Sequence, residues 1–149
     1  MKNVNALNWF LVNDDPITWI REIESKKGGV FEMVQVFYNP QIEKWAVKQA
    51  SVDIYDFIDE AIIDDEDYEH AIFVLESYGY RATDVFLDEY GTNWEYLQIL
   101  LQELKETYGG RWKQILAECF MDDFNMGEYK LYDKEKIAIN EARKIMGMD

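Results

Sequence analysis

Between Gln49 and Leu104 the chain places fifteen carboxylates and a single cation, Arg81. Apolar residues recur among them three and four positions apart, as in Ile54, Phe57, Ile58 and Ala61. Any fold of this stretch must leave the carboxylates in water, because an unpaired buried charge is very costly. Helical spacing meets that demand by giving each helix one apolar and one anionic face. The excess charge is local. Residues 1–48 hold six acids and six bases, and residues 105–149 hold nine acids and eight bases, so the middle stretch supplies −14 of the net −15.

The apolar content is high for so acidic a chain: 48% of 149 residues, with five Trp, ten Tyr and eight Phe. Acidic disordered segments lack it, because they cannot bury enough apolar surface to offset the entropy of ordering. A single folded domain over 1–149 is the expectation. One cysteine, Cys119, excludes an internal disulfide and fits a reducing compartment. The start, MKNVNALNWFLVNDD, lacks the basic region, long apolar run and cleavage site of a signal peptide. No stretch approaches the roughly twenty apolar residues of a membrane span. The sign of the charge argues against direct binding of nucleic acid or anionic lipid, both of which need a basic footprint.

Taken in order, Asp15-Pro16 reads as a helix start, with Asp14 or Asp15 capping and Ile17, Ile20 and Ile23 along one face. Ser25–Gly29 is a stop and a loop. Val30–Tyr38 is short, apolar and β-branched, and periodicity leaves it open between strand and helix. Asn39-Pro40 is a turn, and Ile42, Trp45, Ala46 and Gln49 favour a helix over 41–50. Ser51 or Asp53 caps the next helix, which Asp64–Asp67 either interrupts or continues as solvated residues. Ala71, Ile72, Val74, Leu75 and Tyr78 carry the pattern on to Gly79. Thr83 caps a short helix, Asp84–Tyr90. Thr92 or Asn93 starts a longer one, with Trp94, Leu97, Leu101, Leu104 and Tyr108 on one side and Gly109-Gly110 as its stop. Trp112, Ile115, Leu116, Cys119 and Phe120 point inward from a helix over 111–122, and Asn125–Lys130 is a loop. Asp133 caps the final helix, in which Ile137, Ala138, Glu141 and Ile145 share a side. The expected fold is mostly α: a compact bundle of about seven short helices, with a small β-hairpin near residues 30–48 left open.

Catalytic and metal motifs are weak. One His and one Cys cannot supply a zinc or di-iron site, and Asp67 with His70 lacks the second His of a carboxylate-bundle site. Asp123–Gly127 misses the calcium-loop register, and Lys134 stands where the bidentate Glu belongs. Asp64–Asp67 reads as a solvated turn before it reads as a cation site. Gly28-Gly29 and Gly109-Gly110 carry no phosphate-loop pattern, and Cys119 with His70 lacks a third member. The expectation is a protein without a cofactor or a metal, and not an enzyme.

If 53–67 is one helix, Asp53, Asp56, Glu60, Asp64 and Asp67 fall within an arc of about 80° and form a row about 21 Å long. Neighbours in that row lie about 5–6 Å apart. Duplex DNA carries one phosphate charge per about 1.7 Å of axis, so a rigid carboxylate row can fill a Lys/Arg groove kept for phosphates. The stretch Tyr55–Tyr68 (YDFIDEAIIDDEDY) resembles the acidic DNA-mimic inhibitors of phages and mobile elements, the anti-restriction and anti-CRISPR proteins among them. The resemblance is one of composition and charge pattern. It implies a protein of the bacterial host's cytoplasm that blocks the basic groove of a restriction enzyme or CRISPR nuclease. The partner-binding residues would be Asp53, Asp56, Asp59, Glu60, Asp64, Asp65, Glu66, Asp67 and Glu69. The rival reading is an interaction module docking through Trp9, Phe10, Trp19 and Trp45, with acids serving only solubility.

Overall fold

The computed structural model describes residues 9–23, 28–79, 93–122 and 127–148. The architecture is α+β, not the mostly helical bundle expected, and it divides into two compact units. The first unit combines residues 1–51 with 125–149, and the second is the continuous span 52–124. The chain therefore leaves the first unit once and re-enters it once.

The first unit is built on a five-stranded antiparallel sheet in the order β1-β2-β3-β4-β5. Its strands are β1 (Phe10–Asp14), β2 (Ile17–Ile23), β3 (Val30–Asn39), β4 (Lys44–Asp53) and β5 (Glu128–Tyr132). The expected helix from Pro16 is β2 instead. Its residues pair with β3 throughout, from Ile17 opposite Val36 to Ile23 opposite Val30. Isoleucines three apart resemble a helix face, but the β-branched run Ile17-Thr18 and the cross-strand partners outweigh that spacing. Pro16 sits in a turn, where its carbonyl accepts a hydrogen bond from the Thr18 hydroxyl at 2.9 Å.

The expected helix over 41–50 is likewise a strand, β4. Asn39 Oδ1 accepts from the Gln41 amide at 3.0 Å, an Asx turn that sends the chain back beside β3. Polar alternation fails in the middle of β3 and at Ala46–Lys48 of β4, where both faces are buried, and β4 resumes it with Gln49 and Ser51 exposed and Ala50 and Val52 buried. Val34 and Val36 lie on one side of β3, and Phe31, Met33 and Gln35 on the other, all at most 5% exposed. Lys48 is 1% exposed, with its ammonium 5.7 Å from the Tyr129 ring. A lysine read as solvated hides the strand period.

One helix, Glu135–Ile145, covers the Val34 face. Ala138, Ala142 and Met146 recur every four residues and pack on Val34, Val36 and Val47, with Trp19 and Trp45 at the margin. The two alanines let the helix backbone approach the sheet closely. Lys134, not Asp133, occupies the N-cap position, and Ile137 is exposed rather than inward. Asp133 instead pairs with Lys44, whose hydrogen bond holds its carboxyl below the usual carboxylate range.

The second unit is helical, as the spacing predicts. It contains α1 (Ile54–Ile63), α2 (Asp65–Ser77), α3 (Asn93–Tyr108), a 3-10 turn at Gly109–Arg111, and α4 (Trp112–Asp122); the sheet-covering helix Glu135–Ile145 is then α5. Tyr96, Leu97, Leu100, Leu101 and Leu104 of α3 and Leu116, Cys119 and Phe120 of α4 are buried. The Phe57 and Phe120 rings meet at 4.0 Å between centroids. Tyr96 donates to Glu76 at 2.8 Å and Tyr78 to Asp122 at 2.6 Å, tying α2 to α3 and α4. Ser25–Lys27, the expected helix Asp84–Tyr90 with its Thr83 cap, Thr92, the Trp94 side chain and residues 123–126 lie outside the described residues.

The helical span is an insertion between paired strands: β4 and β5 run side by side from Trp45 opposite Tyr132 to Gln49 opposite Glu128. The expected loop over Asn125–Lys130 thus ends in strand. Gly127, at the re-entry, has φ +88°, and a Cβ there would lie 2.3 Å from the Gln49 carbonyl oxygen. Gly127→Ala is expected to destabilise the protein by at least about 2 kcal/mol, read as a lower urea midpoint, through both left-handed strain and the clash.

Candidate protein-interaction face

The nine acids singled out in the sequence lie along α1, the break after it, and the start of α2. Asp53 closes β4 and caps α1: its Oδ1 accepts from the amides of Tyr55 at 3.0 Å and Asp56 at 3.3 Å. Asp64 does the same for α2, accepting from Glu66 at 2.9 Å and Asp67 at 3.1 Å. At Asp64 the backbone is extended, with φ −123° and ψ 121°. The two-helix alternative therefore holds, and a single row over 53–67 on one helix does not form.

These details divide the acids by role. Asp53 and Asp64 spend their carboxylates on orphan helix amides. Asp65, Glu66 and Asp67 occupy the first turn of α2, where the helix dipole favours negative charge. Asp56, Asp59, Glu60, Glu66, Asp67 and Glu69 are exposed. At about 100° per residue, Asp56, Asp59 and Glu60 share one arc of α1 facing away from buried Ile54 and Ala61. Glu66 and Glu69 share the arc of α2 that faces away from buried Ala71 and Leu75.

Two lysines of this unit stand over rings. Lys105 Nζ stands 4.8 Å from the Trp112 ring centroid, and Lys113 Nζ stands 5.2 Å from that of Tyr55. Burial raises the Tyr68 hydroxyl above its ordinary pKa, and the Glu76 carboxylate adds to the shift. Burial likewise raises Glu118.

Two exposed apolar side chains, one on each helix, escaped the sequence reading. Ile63 is 84% exposed and Phe73 is 71% exposed. Their signal was phase: Ile63 falls on the arc of Asp56, Asp59 and Glu60, and Phe73 on that of Glu66 and Glu69.

The other sequence candidates lie elsewhere. Trp9, Trp19 and Trp45 are partly buried against the core under α5, which leaves Phe10 as the exposed member of that set. Burial pushes the Cys119 thiol up to about 12, with Glu118 and Asp122 adding to the shift, so it stays a thiol at neutral pH. Among the described residues no three His, Cys, Asp or Glu side chains are grouped as a metal ion would need. Among those residues, too, no helix is long and apolar enough to cross a membrane.

No protein-family model, curated protein or solved structure matches the chain.

Asp64→Ala is expected to cost about 1 kcal/mol in chemical denaturation, whereas Asp64→Asn, which keeps the accepting oxygen, stays near wild type. A loss of similar size in both variants would assign the effect to charge instead of capping. Cys119 is expected to resist iodoacetamide at pH 8 in the native protein and to react in denaturant, as followed by mass spectrometry.

Proposed function

We propose that this is an acidic binding protein that inhibits a DNA- or RNA-handling protein of the restriction-enzyme or CRISPR-nuclease type by occupying its basic groove, in the cytoplasm of a bacterial host. The observation that carries the reading is how the charge divides between the two units. The sheet unit holds eleven acids and eleven bases, while the helical span 52–124 holds nineteen acids and four bases, the whole of the −15. A chain made acidic for solubility alone has no reason to keep one unit neutral. A chain that presents a polyanion does, because a cationic partner is steered by the local field of one surface.

The exposed arcs of α1 and α2 supply rigid carboxylates at helical spacing, comparable to the spacing of phosphates along a strand. The capped helix starts hold those arcs in place against their own like-charge repulsion, which costs some tenths of a kcal/mol per i,i+4 pair.

The test is DNA cleavage by a panel of restriction and RNA-guided nucleases with this protein added. Inhibition of a susceptible nuclease is expected to fade as salt rises from about 0.05 to about 0.5 M, since screened contacts carry it. The Asp56→Asn, Glu60→Gln, Glu66→Gln variant leaves both capping carboxylates intact. It is expected to lose inhibition by at least about tenfold while keeping its far-UV circular dichroism. Undiminished inhibition by that variant would overturn the reading.

A further inference from the structure

We propose that Ile63 and Phe73 are apolar anchors of the acidic face, and that its occupant is a cationic amphipathic segment in which Lys or Arg flanks large apolar side chains. The proposal rests on the interaction reading above and narrows the partner's chemistry. Ile63 at 84% and Phe73 at 71% are more exposed than any other large apolar side chain described. Single exposed apolar residues are ordinary on a protein surface. Here the two extremes sit on the consecutive helices α1 and α2, each on the arc turned away from the core, and each within about 60° of two or more exposed carboxylates.

Contacts made to phosphates reward charge and hydrogen bonding, so a basic partner that uses Ile63 and Phe73 offers apolar surface beside its cations. Apolar anchors inside a ring of charge are how protein interfaces concentrate affinity, with the surrounding contacts excluding water and fixing orientation. Residues 53–69 contain nine acids and no Lys or Arg, so the complementary surface is cationic around its apolar contacts. A second copy of this chain is disfavoured as the occupant by the same like charge.

The probes are a designed Leu/Lys amphipathic helical peptide and an oligolysine of equal charge, each followed by fluorescence anisotropy at low salt. Wild-type protein is expected to bind the amphipathic peptide at least about tenfold more tightly than oligolysine. The Ile63→Ser, Phe73→Ser variant is expected to lose that preference while binding oligolysine as before, and Ile63→Leu, Phe73→Leu to restore it. Both positions are solvent-exposed, so circular dichroism and thermal melting should match wild type. If the serine variant keeps the preference, the anchors lie elsewhere and the inference falls, while the charge reading survives. If Asp56→Asn, Glu60→Gln, Glu66→Gln binds both probes like wild type, the underlying charge reading falls. If wild type sediments as a dimer and the serine variant as a monomer, the occupant is a second copy and the proposal is overturned.

Discussion

The ladder between β4 and β5 closes the chain on itself. Trp45 faces Tyr132, Val47 faces Lys130, and Gln49 faces Glu128, so the helical span begins and ends at neighbouring points of one sheet. Joining the ends of so long an excursion carries an entropic cost that grows only slowly with its length. The strand hydrogen bonds and the contacts of Trp45, Val47 and Tyr132 under α5 work against that cost. The re-entry is tight enough that Gly127 can carry no side chain beside the Gln49 carbonyl. The neutral unit thus supplies a closed frame, and the anionic unit is free to specialise.

Within the helical unit the acids are held by more than their own solvation. Like charges four apart weaken a helix, and few bases are interleaved among them. Three features offset this repulsion. Asp53 and Asp64 satisfy helix-start amides, the acids that follow Asp64 sit at the favourable end of the α2 dipole, and the far sides of α1 and α2 are buried. Tyr78 and Tyr96 then tie α2 to its neighbours through hydrogen bonds to carboxylates. The same residue types therefore do two jobs, some building the helices and others remaining outward.

The helices of the acidic half were legible because each announces itself twice, by an apolar stripe and by an end signal. Asp53 as a cap, Gly79 after α2 and Gly109-Gly110 after α3 all stand where the pattern put them. Of the sheet, only Val30–Tyr38 and a hairpin near residues 30–48 stood open as alternatives. In β2, Ile17, Ile20 and Ile23 fit a helical spacing, but the strand sends Ile20 to the buried side with Thr18 and leaves Ile17 and Ile23 half-buried on the other. In β4, Lys48 broke the apolar alternation although it is buried. Ile63 and Phe73 passed unnoticed because they are apolar residues off the apolar stripe, a mismatch of phase that carries meaning only once the buried face is known.

What the residues alone settled is therefore local: where the described helices of the acidic span lie, and where the charge collects, since caps, stripes and carboxylate density act over a few neighbours. What required the folded chain is long-range. The pairing of β2 with β3, and of β4 with a strand roughly eighty residues later, depends on partners that no local window contains. Which outward residues share a face depends, likewise, on which side of each helix the core buries.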